Sequence, residues 1–573
     1  MVGWNRFHRL AALLLMVLGL GACQEFDRSD VLRIGLAEEP RTLNVWLAGD
    51  VNSRKVLSLI YQPLYVYDPE TMDLVPWLAA AMPEYDPQTI SYTVRLRPAR
   101  WSDGTPFTSQ DVAFTAHLIQ TFKVPRYASS WSFIDRVQTP DPHTVIFYLQ
   151  QPMATFLTGT MVTPIVQHKE WAVIAEQAQA TEKPLTALLN HRMQHPVGTG
   201  PFILEQWRKG AFVHMKRNPH FFGTGLTING QVLGPFFEEL VYSVFGTSDV
   251  AILALKKGSI DMFWWHVQPG YMDDLGRHEQ IQLFTNEKSA LYFMGFNLRR
   301  PPFNDVVLRR AVAHLIDKDF IVSRVLQGQG GKMFSVVPAE NVFWCCTDLP
   351  RYGDGMSRES RYSVAYQLLA EAGYTWAVPP LDAAGNLQPA REIRLPDGRP
   401  MARFTILTPP ADYDPHRAIS GLMIQEWLRE LGMPAFSRPM AFSSLLQQVK
   451  DNHDFDAFIL GYGRLRLDPE YVRNLFHSAN DQPRGWNMSG YRNPVFDELA
   501  DRSISEMDPL KRRELVFEMQ RLIARDLPFI PIYNPHVLEA VRRDRFEGWV
   551  EMLEGIGNIW SLCLVKPVAR HGT

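Results

Sequence analysis

A chain of 573 residues is long enough to bury more than one sizeable core. Its formal net charge of −3 is spread along the chain without a basic stripe, which excludes the electrostatic footprint of a nucleic-acid binder. Aromatic residues make up 12%, with 15 tryptophans, and such rings suit a hydrated ligand cavity as well as a packed core.

The chain opens with Arg6 and Arg9, an apolar run from Leu10 to Leu20, and Gly21-Ala22-Cys23. A spanning helix needs about 20 apolar residues, whereas the apolar part of a secretory signal runs to about 7–15, and Gln24-Glu25 ends this run abruptly. Residues 1–22 therefore read as a signal peptide, and export follows. Val31 to Leu36 alternates as a first strand, followed by the loop Glu38-Glu39-Pro40-Arg41-Thr42-Leu43-Asn44. Ile90 to Leu96 and Thr144 to Leu149 are further β-rich stretches. Between them, Asp103-Gly104 forms a tight turn, Pro106 fixes a strand entry, and Thr108 caps a helix with Asp111 at the capping-box position. A mixed α/β subdomain is expected here.

Pro196-Val-Gly-Thr-Gly-Pro-Phe202 then turns the chain through Gly198, Gly200 and Pro201 into a hairpin, Phe202–Trp207 and Phe212–Lys216, around Lys209-Gly210. A helix from Asp249 to Lys257 stops at Gly258, and Ile260 to Trp265 continues as a strand. On that strand Trp264 and Trp265 point to opposite faces, so one at most reaches a cleft. Tyr292 to Leu298 is another strand, Asn304 caps the next helix, and Leu308, Ala311, Val312 and Leu315 make one apolar helical face. A helix near Tyr362 to Ala372 ends at Gly373. Another carries Ile424, Trp427, Leu428 and Leu431 before Gly432, and Pro379 to Pro400 between them reads as surface loop. The alternation of strands and helices predicts α/β lobes, without an internal repeat.

Machinery for catalysis is missing from the motifs. There is no Gly-x-Ser-x-Gly elbow, no phosphate-binding Gly-rich loop ending in Lys-Ser/Thr and no His-Glu-x-x-His. His191 and His195 stand at i, i+4, but Pro196 follows and no third ligand is near, so a solvent-facing pair outweighs a metal site. No catalytic residue, metal or cofactor is assigned. Beyond Cys23, three cysteines remain: Cys345, Cys346 and Cys563. A bond between the neighbours Cys345 and Cys346 is disfavoured, because adjacent Cα atoms lie about 3.8 Å apart, and the pairing stays open.

Five segments in order carry a resemblance: Trp101–Val112, Pro196–Phe202, Phe296–Val306, Gly490–Asp497 and Asp526–Tyr533. Together they resemble the family-5 extracellular solute-binding proteins, the peptide-binding-like receptors of bacterial ABC importers. The resemblance implies a two-lobed periplasmic-binding-protein-like α/β fold of type II with an extra subdomain and a two-segment hinge. It implies a tether at 23–30, lobe I at 31–297 with the extra subdomain at about 70–195, lobe II at 298–527 and a return at 528–573. Leu20-Gly21-Ala22-Cys23 resembles a lipobox, which makes Cys23 the site of lipidation and the membrane anchor of a monomeric, extracytoplasmic protein. Its partners are then a peptide or small organic ligand and the permease subunits of an ABC transporter, with no nucleic acid. A secreted hydrolase and a ligand sensor without transport remain as rival readings.

Ligand contacts are expected from Glu39 and Asn44 in the acidic-Pro-x-x-Leu loop at the cleft edge, from Trp264 and Trp486, and from the segment Gly461–Pro469. Peptide-binding members typically place Gly-Trp there, followed three residues after the Trp by an Asp that pairs with the ligand's α-amino group. Here Tyr462 takes the aromatic place and Leu465 the acidic one, and Leu cannot neutralise an ammonium. Asp468 substitutes only after a shift of register. Arg464 and Arg466, two residues apart, face the same way if the segment is extended and would then hold one planar anion; a solvated loop is the alternative for both.

Overall fold

The computed structural model describes residues 30–228, 230–264 and 267–569. The signal peptide, Cys23 and Trp265 lie outside them. Among the described residues, a seven-stranded sheet forms the centre of lobe I, in the order Phe202–Arg208, Phe212–Arg217, Glu239–Val244, Val31–Leu36, Met262–Phe263, Val537–Arg542 and Ile281–Asn286. Val31–Leu36 pairs in parallel with both neighbours, and the outer pairs are antiparallel. As a central strand it is covered on both faces, and its apolar residues are almost fully buried.

A six-stranded sheet forms lobe II: Gly330–Lys332, Phe529–Pro535, Leu291–Phe296, Ala457–Tyr462, Phe404–Thr408 and Ala435–Pro439. The chain crosses between the two sheets twice, through Glu287–Ala290 and again at His536. These crossings differ from the expected boundaries at 297/298 and 527/528. Leu291–Phe296 and Phe529–Pro535 pair with one another and with Ala457–Tyr462, so backbone hydrogen bonding assigns both strands to the lobe II sheet. The first crossing lies before the Phe296–Val306 motif and the second after Tyr533.

The extra subdomain carries a four-stranded sheet, Glu84–Asp86, Ser91–Arg95, Thr144–Leu149 and Ile134–Asp141, with helices Ser109–Phe122, His168–Gln179 and Pro184–Asn190. Its core is continuous with that of lobe I. Thr108 starts the first of these helices, and the Asp111 carboxylate accepts hydrogen bonds from Thr108 N (2.8 Å), His168 N (2.9 Å) and Trp101 Nε1 (3.3 Å). One capping residue thus ties the helix to two neighbouring segments, beyond the roughly 1 kcal/mol usual for a cap.

The segments at Trp101 and Pro196 meet in space. Ser102 N donates to Gly198 O at 2.8 Å, and Gly198 N donates to Ser102 Oγ at 3.3 Å. Gly200 N donates to Ile60 O, and a Cβ on Gly198 or Gly200 would collide with the Ile60 or Leu59 carbonyl. Close backbone approach is the reason for glycine at both positions.

Several local expectations are corrected. Asp305, not Asn304, caps the helix Val306–Leu315, its carboxylate accepting from Val307 N at 2.8 Å, while Leu308, Ala311, Val312 and Leu315 form the buried face as expected. The strand after Gly258 is confined to Met262–Phe263. Pro379–Pro400 contains Arg391–Arg394, paired with Thr375–Val378. The helix before His191 ends at Asn190, so His191 and His195 do not share a helical face. Among the described residues no cluster of three or more His, Cys, Asp or Glu is placed to hold a metal, and Cys345, Cys346 and Cys563 are free thiols.

Candidate ligand cleft between the lobes

The segment after Ala457–Tyr462 leaves the lobe II sheet and reaches lobe I. Arg464 Nε lies 2.8 Å from Glu554 Oε2, Arg466 Nη1 donates to Ser130 Oγ at 3.3 Å, and Thr158 Oγ1 donates to Asp468 Oδ2 at 3.0 Å. A backbone bond from Ala154 N to Ile504 O (2.9 Å) closes the same seam further out. The molecule is therefore held with its lobes together. Arg464 and Arg466 both cross the seam, but to separate partners, so they do not form the single anion fork expected for an extended segment.

Leu465 is buried in the lobe II core, and its N–H donates to Ser289 O at 2.6 Å. Asp468 is equally enclosed. Arg512 Nη1 and Nη2 grip its two oxygens at 2.7 Å each, and the side chains are 3% and 5% exposed. A carboxylate held in this fork balances a buried guanidinium and has little capacity left for a ligand.

The other expected contacts are distributed unevenly. Glu39 accepts from Gly210 N at 2.6 Å and so fixes the tip of the lobe I hairpin. Asn44 is buried, donating to the carbonyls of Leu188, Leu189 and His191 and accepting from Trp46 N, which makes it an internal anchor of the loop. Trp264 is buried in lobe I, with Lys55 Nζ 5.0 Å from its ring centroid and Gly557 against its edge. Tyr462 stacks on Phe293 (5.7 Å, 13°) and approaches the half-exposed Trp486, over whose ring Lys450 Nζ lies 3.9 Å from the centroid.

Two groups of residues were missed by sequence reasoning. In lobe II, Arg417 lies in the first turn of the helix Pro415–Glu430, gripped by its N-cap Asp414 at 2.7 Å. Its guanidinium carbon is 5.9, 5.6 and 5.5 Å from the rings of Tyr292, Tyr413 and Phe442, and its Nη1 is buried without a hydrogen-bond partner. Gly461 makes room for the Tyr292 ring across the strand pair, since a Cβ there would lie 2.5 Å from it. Tyr292 in turn stacks on Tyr533 at 4.9 Å. The Asp414-Pro415 helix start was the available signal.

On the lobe I side, Lys55 donates to Gly557 O, and Glu539, fully buried, accepts from Ile556 N at 2.6 Å. Burial lowers the Lys55 ammonium below its ordinary pKa and raises the Glu539 carboxyl, while each partner's charge opposes the other's shift. Burial also raises the Glu554 carboxyl, against the positive charges of Arg464, Lys288, Lys55 and Arg54. Arg54 is brought down to about 10 by burial and by the like charges of Arg126 and Arg464. No motif marks these residues; a lysine in a short amphipathic helix reads as surface.

The frame is thus two-lobed and α/β, crossed twice by the chain, with polar groups gathered at the seam. The family model described as bacterial extracellular solute-binding proteins, family 5 Middle, matches residues 73–483, and the chain belongs to this family. It is 24% identical over 545 residues to the oligopeptide-binding protein AppA of Bacillus subtilis (strain 168), covering 92% of this chain and 93% of that one. Its fold is similar to a periplasmic oligopeptide-binding protein of Thermotoga maritima (TM-score 0.76, 21% identity, covering 94% and 100%). It is also similar to AgaA of A. tumefaciens R10 in complex with agropinic acid (TM-score 0.71, 20% identity, 94% and 99%).

Proposed function

We propose that this solute-binding protein captures a peptide or similar small organic solute between its lobes and delivers it to the permease of an ABC importer, anchored outside the cytoplasm by lipid on Cys23. The observation that carries this reading is the reach of a single lobe II segment, Arg464 to Asp468, across the seam to Glu554, Ser130 and Thr158. Contacts of this kind exist only when the lobes are together, so a solute held by both lobes shifts a hinge equilibrium toward the form a permease reads.

The chemistry at the seam narrows the solute. With Leu465 in the core and Asp468 gripped by Arg512, neither position offers a carboxylate to a free α-ammonium. Arg417, with an unpartnered buried nitrogen among Tyr292, Tyr413 and Phe442, offers a charge-assisted donor in an aromatic hollow instead. A solute with an acceptor group for Arg417 and an uncharged or blocked amino end fits these groups best.

Mass spectrometry of solute extracted from protein lacking the signal and Cys23 tests the reading, followed by calorimetry and solution scattering with the compound identified. Binding is expected to raise the melting temperature and reduce the radius of gyration. Stabilisation without compaction sinks the hinge mechanism; turnover of the bound compound supports the hydrolase instead.

A further inference from the structure

Glu554 stands out from every other carboxylate at the seam. It lies in the loop that returns from Phe546–Glu547 towards Gly557, and its backbone has φ +76, a left-handed conformation that costs a non-glycine residue free energy. Gly555, next along, has φ +99. Glu554 N donates to Glu287 O in the crossing at 2.8 Å. The side chain is only 11% exposed, and Arg464 Nε reaches its Oε2 at 2.8 Å, yet neither carboxylate oxygen has a hydrogen bond of good geometry.

Cations from three parts of the molecule converge on this one carboxylate. Arg464 reaches it from lobe II at 2.8 Å, Lys55 on the lobe I helix Val51–Ser58 donates to Gly557 O three residues further along the same loop with Arg54 beside it on the helix, and Lys288 follows Glu287, whose carbonyl holds Glu554 N. Arg126 stands behind Arg54: Arg54 Nη1 donates to Gly49 O at 2.9 Å and Arg126 Nη1 to Ala48 O at 3.4 Å, on adjacent residues. Arg54 Nε is buried with no partner. Glu539, with its own bond to Ile556 N, is the other buried acid of the group. A structural ion pair needs one cation, and gathering this many like charges is unfavourable unless negative charge fills the space between them. A glutamate kept in a strained backbone conformation to fill it behaves as a resident occupant.

We propose that Arg54, Lys55, Lys288 and Arg464 form a carboxylate-binding site at the interlobe seam, that the chain's own Glu554 carboxylate occupies it, and that the carboxylate of an incoming solute takes its place. The last clause rests on the solute-binding reading; the site itself does not. Because Arg464 is contributed by lobe II, filling the site favours closure whichever carboxylate is present, and a displaced Glu554 leaves a loop free to relax its backbone.

Chemical rescue tests this on the purified protein. Glu554→Gly empties the site and adopts φ +76 without strain, so the variant is expected to fold. Acetate, titrated against chloride at constant ionic strength, is expected to raise its melting temperature and to bind it at least about tenfold more tightly than the unmodified protein. Adding Arg464→Met to Glu554→Gly is expected to abolish the acetate response. Equal acetate responses in the variant and the unmodified protein, or rescue that survives loss of Arg464, overturn the site. An N-acetylated dipeptide, with one carboxylate and no ammonium, is the second probe: stabilisation of Glu554→Gly by acetate but not by this peptide overturns the solute as occupant. Failure to find any co-purified solute would count against the solute-binding reading while leaving the acetate result standing.

Discussion

Replacing Asp468 with Asn decides whether this carboxylate belongs to the fold or to the ligand. In the structure it is 3% exposed, gripped by two 2.7 Å bonds from an Arg512 that is 5% exposed, and it also accepts from Glu470 N at 3.0 Å. Arg512 Nε donates to Ser503 O at 2.8 Å, and its guanidinium lies 4.8 Å from the Trp344 ring, so the cation cannot swing out to water cheaply. Asn keeps the shape but leaves a buried guanidinium without a counter-charge, which costs about 3–5 kcal/mol. For a unit the size of lobe II, about 2–4 °C per kcal/mol gives a fall in melting temperature of about 6–20 °C. Calorimetry on Asp468→Asn and on Asp468→Ala with Arg512→Met measures it, and the double variant is expected to recover much of the loss because no charge is left unpaired. An Asp468→Asn variant that melts like the unmodified protein but no longer binds solute would refute the reasoning and return Asp468 to the ligand.

Gly198→Ala is expected to destabilise the protein by more than about 3 kcal/mol in urea unfolding, because its Cβ meets the Ile60 carbonyl, whereas Gly210→Ala, at φ +72 in open space, is expected to cost only about 1 kcal/mol. Glu170, pushed up to about 7 mainly by burial, has a disfavoured ionised form; the stability tied to it is whole below about pH 4.5 and is lost as pH rises through 7. Glu170→Gln is therefore expected to leave the melting temperature unchanged near pH 5 and to stabilise by about 1–3 kcal/mol at pH 8; a larger gain at pH 5 reverses the assignment. Cys23→Ala is expected to release the protein from membranes or block its maturation; normal processing with full retention removes the lipid from the proposal.

Much of the frame was legible because it depends on local chemistry. The strand Val31–Leu36, the Thr108/Asp111 box, the stop at Gly258 and the face Leu308, Ala311, Val312, Leu315 are each decided within a few residues, and the structure reproduces them, although the strand is buried on both faces instead of alternating. The family motifs likewise mark backbone necessities such as Gly198 against Ile60. The hinge was misplaced because strand pairing between Leu291–Phe296 and Phe529–Pro535 is a long-range matter that neither segment announces. The seam was hardest to read. Nothing near Lys55 or Glu554 in sequence says that they come together, since the helix and the returning loop lie at opposite ends of the chain. Similarly, Asp468 looks like a free loop carboxylate until Arg512 is seen beside it.

The seam's energetics fit a protein that must both close and reopen. Arg464–Glu554 is half exposed on the arginine side, Arg466–Ser130 and Thr158–Asp468 are single hydrogen bonds of 3.3 and 3.0 Å, and Ala154–Ile504 is one backbone bond. At a net of about 0.5–1.5 kcal/mol each, or up to about 3 where a charge takes part, they supply only a few kcal/mol against the hinge's freedom to open. Moving a two-state equilibrium from 1:99 to 99:1 takes about 5.5 kcal/mol of differential affinity, which a solute touching both lobes can provide. A strongly apolar seam would keep the lobes shut and trap the cargo, and one without direct contacts would leave closure entirely to the solute. Contacts that are few and mostly polar, with Met507 of lobe II packed on the lobe I core as an apolar exception, place the decision with whatever lies between Arg417 in lobe II and the cation cluster at Glu554 on the seam.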